Sequence, residues 1–509
     1  MRVPHLVSPQ RPLRQYYLKA KPAHSFSESP LKTQKKLILL AMDWKRQKDP
    51  PISLAQASIL ANLKRHKIYA INKSWSINDV NFTIDDVYNF VNSNIDENTD
   101  IALGSYVWHE PYTQKLLRKL RQNNFPGRII LGGPQISYVK SGIEKYYPDA
   151  DIFIRGYAEE ALVQLFLSEK IKPLITGVHY AGGLDSGLSA TADLEMLPSP
   201  FLSGLISPQH FIRWETQRGC PFRCTFCQHR ESDISMKRRQ FAYSRIMQEI
   251  EWIISNPMIQ DIAVLDPVFN SGPHYMNILE KLIEGNFSGK ISLQCRIEMI
   301  KDEFLEQIEK LNRTAHVVLE FGLQTIHPNE AKIIQRPNNI KKIEQVLNET
   351  KKRNIATEVS LIFGLPQQTI QSFRASVQFC KSLLVPTIYA YPLMLLRGTP
   401  LYEKKHELGL IESTDIELQI DRALKDIPHV ISSPSFTYED WCEMAKIAES
   451  LDLYNSNYAH NKKNSMAKMS ETLRHTLWKE KGTNDDKNKD CHSYTENSSI
   501  SISPVRHNS

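Results

Sequence analysis

Residues 211–227 read FIRWETQRGCPFRCTFC. The first six, half of them apolar with Phe211, Ile212 and Trp214, read as a strand. Gly219 then permits a sharp backbone turn, and Cys220, Cys224 and Cys227 follow within one loop. That spacing lets a single tight loop aim three thiolates at a common centre. Three thiolates can hold three irons of a four-iron, four-sulfur cubane and leave the fourth without a protein ligand, open to a small molecule. Spacing alone also allows a structural zinc site, with His229 as its fourth ligand.

Downstream, strand patterns recur at 261–267, 291–297, 316–324, 356–366 and 387–396, with helical patterns between them at 243–255, 276–285, 301–311, 340–354 and 370–384. Strict alternation implies a parallel sheet with helices packed outside it. Six such units fall short of a closed eight-unit barrel. The expected architecture over 206–410 is therefore a partial (β/α) barrel, whose lateral gap suits a long or polymeric substrate. The cysteine loop sits at the carboxyl end of the first strand, on the face where barrels carry their chemistry. Purely structural zinc loops are rarely found there.

Upstream the alternation is equally regular. Strands at 35–42, 68–75, 99–108, 127–134 and 151–156 are interleaved with helices at 52–66, 85–95, 111–123, 140–148 and 158–170. This predicts an α/β, doubly wound parallel sheet over 35–165, with its ligand crevice beyond the carboxyl ends of the strands. Ser105, Gly132, Gly133 and Gly156 stand at those ends. The remaining expectations are a flexible basic arm over 1–34, a connector over 166–205, a short helical C-terminal region over 411–460 and a disordered polar tail over 461–509.

A length of 509 residues fits two or three domains, and 41% apolar with 23% charged residues is ordinary for a globular chain. The net charge of +7 is spread along the sequence and gives no nucleic-acid footprint. No apolar run approaches ~20 residues, so no membrane span is expected. The first residues are basic without a continuous apolar stretch, unlike a secretory signal. A cytoplasmic location is the resulting expectation. Seven cysteines, three of them crowded together, indicate a metal or redox site in a reducing compartment rather than a disulfide framework.

The three cysteines, with the aromatic Phe226 just before the third, resemble the signature of the radical S-adenosylmethionine enzymes. The first strand series, with GGP at 132–134 and IRGYAEE at 154–160, is similar to the cobalamin-binding type of N-terminal domain in one branch of that family. The resemblance implies a 4Fe-4S cluster on Cys220, Cys224 and Cys227, which would also be the catalytic residues. It further implies S-adenosylmethionine as cosubstrate and an electron donor such as flavodoxin or ferredoxin. Gln324 matches a glutamine that hydrogen-bonds the adenosylmethionine ribose, and Arg336 an arginine that pairs with the methionine carboxylate. An arginine suits that role because its planar fork grips a carboxylate bidentately. Gly364 and Leu365 match a turn beside the adenosine.

Two positions depart from the family pattern. Ser360 stands where an acidic residue often holds the ribose, and Gln294 near where a glutamate often receives the methionine amine. Glu320 and Glu298 are candidates to compensate.

The resemblance leaves the cobalamin question open. AMDWKRQKDPPIS at 41–53 lacks the histidine of cobalt-ligating loops, as is common in this branch. Tyr157-Ala158 replaces an acidic–glycine pair, and a vestigial sheet used for docking is the alternative. With cobalamin, the implied reaction is C-methylation of a small molecule or peptide. Without it, the implied reaction is hydrogen abstraction such as peptide epimerisation, with Cys295, Cys380 or Cys442 as candidate thiol donors. A non-catalytic binding module is the third reading. Trp441, Tyr454 and Tyr458 are candidates to line the barrel mouth. Arg223, Arg230 and the run Lys237-Arg238-Arg239 are candidates to attract an acidic partner, or simply a solvated loop.

Overall fold

The computed structural model describes residues 35–46, 48–229, 238–414 and 427–481, with side chains described as far as residue 459. The expected arm at 1–34, Arg230, Lys237 and the end of the chain beyond 481 lie outside these residues.

The first unit contains strands β1 (Lys36–Asp43), β2 (Ala70–Ser76), β3 (Thr99–Gly104), β4 (Ile129–Gly132), β5 (Ile152–Ile154) and β6 (Val178–Tyr180). Between them run α1 (Leu54–Arg65), α2 (Ile84–Asn92), α3 (Glu110–Gln122), the single turns α4 (Pro134–Ser137) and α5 (Ile143–Tyr146), and α6 (Ala158–Leu167). The sheet order is β2-β1-β3-β4-β5-β6, parallel throughout except for β6. The strands read as continuous apolar runs because both faces are covered. Ile38, Leu40, Ile101, Leu103, Ile129 and Leu131 lie buried on one face, whereas Leu37, Leu39, Ala102, Ile130, Ile152 and Ile154 lie buried on the other. The connector expected at 166–205 contributes β6, which pairs antiparallel with β5. Three residues in a polar stretch give too short a pattern to be read as a strand.

The second unit begins with β7 (Phe211–Trp214), followed by a small ribbon of β8 (Gln217–Arg218) and β9 (Arg239–Gln240). Strands β10 (Asp261–Val264), β11 (Lys290–Cys295), β12 (His316–Gln324), β13 (Ala356–Phe363) and β14 (Thr387–Pro392) complete a parallel sheet of order β14-β13-β12-β11-β10-β7. Helices α7 (Tyr243–Ile254), α8 (Tyr275–Glu284), α9 (Asp302–Leu311), α10 (Pro328–Ile333), α11 (Ile340–Lys352) and α12 (Ile370–Ser382) connect the strands.

Burial alternates along these strands. Ile212, Trp214, Ile262, Val264, Val359, Leu361 and Phe363 pack into the apolar core with residues of these helices. The opposite face, with Arg213, Gln294, Glu320, Glu358 and Ser360, is only half-buried and lines the lumen.

The C-terminal region differs from its expectation. Residues 411–460 are not simply helical: after the turn α13 (Pro400–Glu403), β15 (Ile411–Ser413) pairs antiparallel with β16 (His429–Ser432). The last helix, α14 (Tyr438–Lys481), starts later and runs into the segment expected to be disordered. It packs on β14 and α12. The side-chain amide of Asn455 on α14 accepts from Ile388 N at 2.9 Å and donates to Ile388 O at 3.0 Å, on the free edge of β14.

The two units meet at a close backbone approach. Gly398 has φ +72°, and a Cβ there would run into the Tyr138 carbonyl. Replacing Gly398 with alanine is expected to cost about 2 kcal/mol or more through backbone strain. Thermal melts would show this as a Tm lower by roughly 4–8 °C; an unchanged melt would show that the contact is dispensable.

Candidate active site

The cysteine loop is pinned from both sides before any ligand is considered. Ahead of it, the buried Asp266 carboxylate accepts from the backbone N–H of Thr216 (2.7 Å) and of Gln217 (3.1 Å). Burial pushes that carboxyl up to about 7, against these two donors and the Thr216 hydroxyl, which favour its ionised form. Gly219 takes φ +80°, which starts the loop. Within the loop, Thr225 N donates to Ile334 O (3.0 Å), and Thr225 O accepts from Leu401 N (3.0 Å). The side chain of Phe226 packs on the barrel core.

Arg336 follows α10 and brings its guanidinium over the loop. Its Nη1 lies 3.7 Å from Cys224 Sγ, and its Nη2 donates to the Gly322 carbonyl. Gln324 stands at a bulge in β12 with φ +68°. A Cβ on Gly322 would lie 2.6 Å from the Gln324 amide nitrogen and 3.3 Å from Arg336 Nη2. The structure thus brings Cys224, Gln324 and Arg336 together.

The donor set fits a cubane. Cys220, Cys224 and Cys227 stand close enough together that, beyond the effect of burial, the charge of Cys224 raises both of its neighbours, and that of Cys220 raises Cys227. A cubane spreads its three thiolates over three separate irons. His229 donates its backbone N–H to Cys227 Sγ (3.3 Å). Burial pushes the Cys220 thiol up and the Cys227 thiol up to about 11. These thiols carry protons at neutral pH in the metal-free protein, which a metal or cluster held there would displace.

Other expected positions are placed differently. Gln294 and Ser360 are half-buried on the lumen face, in register with Glu320 and Gly322 respectively. Glu298 is turned to Arg296 at 2.8 Å. Burial, then the facing Glu358, raises the Glu320 carboxyl, with Lys290 opposing. Gly364 (φ +87°) is fully packed: a Cβ there would meet Val430 O at 3.2 Å and Trp441 at 3.7 Å. Trp441 is core rather than mouth, stacked on Tyr438 and tilted against Phe363. Tyr454 hydrogen-bonds Val385 O (2.9 Å), ahead of β14, and Tyr458 lies beside it; both are at the amino end, away from the cysteines.

Beyond the carboxyl ends of β3, β4 and β5 lies a cavity of ≈ 390 Å³, within the range of small-molecule sites. Gly104, Gly132, Gly133 and Gly156 line it, and it runs inward as an apolar slot between the sheet and the helices α1 and α6. Ser105 does not line it; its hydroxyl is buried against Tyr147 Oη at 2.9 Å.

The far wall comes from the second unit: Glu215, Arg218, His229, Arg239 and Leu265. Arg218, two residues before Cys220, pairs with Glu159 (2.7 Å) and Glu215 (2.7 Å). Burial pushes the Glu159 carboxyl up, but the Arg218 guanidinium and the hydrogen bonds around it outweigh burial and hold it below the usual range. Tyr157 sets its ring 5.2 Å from the Arg218 guanidinium and 5.7 Å from that of Arg239. Arg238 donates to Ser271 O, and Arg223 is exposed. Sequence reading missed the roles of Arg218 and Glu159, although an acidic residue in the first turn of a strand-following helix was a usable signal.

Residues 214–380 match the family model of the Radical SAM superfamily, so this segment is similar to that superfamily. The cobalamin-dependent radical SAM methyltransferase TokK of Streptomyces tokunonensis is 25% identical over 344 residues, or 61% of this chain and 49% of TokK. A 2-(S-pantetheinyl)-carbapenam-3-carboxylate methyltransferase of Streptantibioticus cattleyicolor is 24% identical over 54% of this chain and 44% of its own length. The chain thus spans about half the length of these curated relatives.

Among solved structures, TsrM from Kitasatospora setae, determined with cobalamin and a 4Fe-4S cluster, superposes with TM-score 0.64 at 14% identity, covering 82% of this chain and 91% of TsrM. The cobalamin-dependent radical enzyme OxsB superposes with TM-score 0.60 at 15% identity, covering 82% of this chain and 66% of OxsB. The doubly wound sheet followed by a partial barrel is the fold of these proteins.

Proposed function

We propose that the chain is a cobalamin-dependent radical S-adenosylmethionine C-methyltransferase acting on a small molecule or a peptide, with 35–165 as its corrinoid unit and 206–410 as its catalytic unit. One observation carries this reading. A single cavity is lined by the glycine edge of the first sheet and by Glu215, Arg218 and His229, which flank the cysteine loop. Two of the relatives are named as methyltransferases, and TokK as a cobalamin-dependent radical SAM one.

When bound, a cluster supplies one electron for reductive cleavage of the adenosylmethionine sulfonium, and a corrinoid supplies a methyl carrier. The chain's own residues do the rest. Cys220, Cys224 and Cys227 hold the cluster, and Arg336 balances the charge of the thiolates. On binding, Arg336 would exchange the Gly322 carbonyl for the methionine carboxylate, a better partner for its fork. Gln324 offers its amide to the ribose. The apolar slot takes the nucleotide end of a corrinoid and excludes water there. Gly133 and Gly156, both at positive φ, allow close backbone approach at the rim. An electron donor of the flavodoxin or ferredoxin type completes the cycle.

Epimerisation needs a hydrogen-donating thiol. Cys295 and Cys380 are buried in the core, and Cys442 sits on α14 packed against it. None of the three is offered to the lumen, which favours methylation.

The test is anaerobic reconstitution followed by joint assay of iron, sulfide and corrinoid. The expected result is about four irons and four sulfides, with about one corrinoid, per chain. Turnover should yield 5′-deoxyadenosine and S-adenosylhomocysteine together. Iron and sulfide without corrinoid would overturn the methyltransferase reading and leave the radical chemistry standing.

A further inference from the structure

Glu110 is the first residue of α3, and its carboxylate is enclosed by four donors. Tyr147 Oη and Gln135 Nε2 each lie at 2.6 Å, and Arg397 adds a fork at 2.8 and 3.1 Å. Arg397 belongs to the second unit, 287 positions away, and its guanidinium lies 4.0 Å from the centre of the Tyr146 ring. Both side chains of this pair are largely shielded, at 14% and 13% exposure.

Each end of the pair leads to one of the two cofactor regions. On one side, Tyr147 Oη also meets Ser105 Oγ at 2.9 Å. The Ser105 backbone is pressed against Gly133, where a Cβ would lie 2.7 Å from Ser105 O; Gly133 lines the cavity. On the other side, the Arg397 carbonyl accepts from Gln228 Nε2 at 2.8 Å, and the Gln228 carbonyl accepts from the Tyr138 hydroxyl. Gln228 directly follows Cys227. An unbroken chain of hydrogen bonds and covalent links therefore runs from the cavity rim to the third cysteine.

The pair Arg218–Glu159 also bridges the units, but it lines the cavity and would touch an occupant directly. Neither Glu110 nor Arg397 lines the cavity. We propose that Glu110 and Arg397 are positioning residues that couple occupancy of the cavity to the placement of the Cys227 end of the cysteine loop. The proposal rests on the corrinoid reading of the cavity. Its physical basis is the lack of slack: a carboxylate held by four donors and a bidentate guanidinium allow few other arrangements. A corrinoid that presses on Gly133, and through it on Ser105 behind, would favour one position of Gln228, and a cluster held through Cys227 would favour the same position. Reciprocity follows, so each cofactor raises the affinity for the other by the same factor.

The test measures hydroxocobalamin affinity by fluorescence quenching, in cluster-loaded and cluster-free full-length protein. Wild type is expected to bind about tenfold more tightly when loaded, within the usual span of such couplings. In Glu110→Gln, and independently in Arg397→Met, that ratio should fall to within about twofold of one. The double variant should fall no further than either single variant. Tyr147→Phe keeps the buried ring and the ion pair but removes the hydroxyl link, so it should lower the ratio even if the charge variants fold poorly. A merely structural role would lower Tm and leave the ratio intact. A wild-type ratio near one, or a ratio unchanged in Tyr147→Phe and the charge variants, overturns the coupling while the corrinoid reading stands. Failure of loaded wild type to bind hydroxocobalamin at all removes both.

Discussion

Cys224→Ala abolishes 5′-deoxyadenosine formation, by on the order of 10³-fold or more, because the cofactor carries the chemical step and two thiolates cannot hold it in its working geometry. Cys224 is the most buried of the three and the one beside Arg336. Its loss leaves a guanidinium facing an empty methyl-sized gap, so charge balance as well as ligation suffers. The anaerobic protein should lose its broad absorbance near about 400 nm, whereas thermal unfolding of the metal-free chain changes little. Undiminished 5′-deoxyadenosine would remove the cluster from the account.

Arg218→Met is expected to be the most damaging single change to the scaffold. It strands Glu159 (5% exposed) and the neighbouring Glu215, and breaking such a buried pair costs about 3–5 kcal/mol. That corresponds to a Tm lower by about 10 °C. The loss should depend on pH. In wild type the Glu159 carboxyl lies below its ordinary value, so its contribution is fully present above the unfolded carboxylate range and fades as pH falls through the folded value. Without Arg218, burial dominates and the carboxyl prefers its neutral form. The gap between wild type and variant is therefore widest near neutral pH and narrows as the solution is acidified. A gap that stays constant between about pH 4 and pH 7 would show that lost packing, rather than unpaired charge, is responsible.

Most of the architecture was legible because parallel strands buried on both faces write themselves as apolar runs such as 37–40 and 317–319. Short strands that lie outside such apolar runs escape that signal. This is why β6 was read as connector, and why β15 and β16 were read as helix. The long reach of α14 was hidden by the polar composition of its second half.

At the site, the cysteines were legible because covalent geometry forces them close in sequence, and Gln324 with Arg336 because a family pattern marks them. Arg218 with Glu159 and Arg397 with Glu110 were not. Those partners lie 59 and 287 positions apart, no periodicity links them, and each glutamate is an ordinary first-turn residue to a reader of sequence. The aromatic residues of α14 misled for a related reason: helical spacing shows that Tyr454 and Tyr458 share a face, but not which end of a barrel that face meets.

The amide of Asn455 bears on how a polymeric substrate could approach. It satisfies both the N–H and the C=O of Ile388 on the outer strand, as a neighbouring peptide group would. Neither group of Ile388 is therefore open to β-augmentation by a peptide or by the sheet of another molecule. A ribosomally made substrate would have to thread its reacting residue through the mouth, so selectivity would reside in the loops above the strands rather than in the strand border itself.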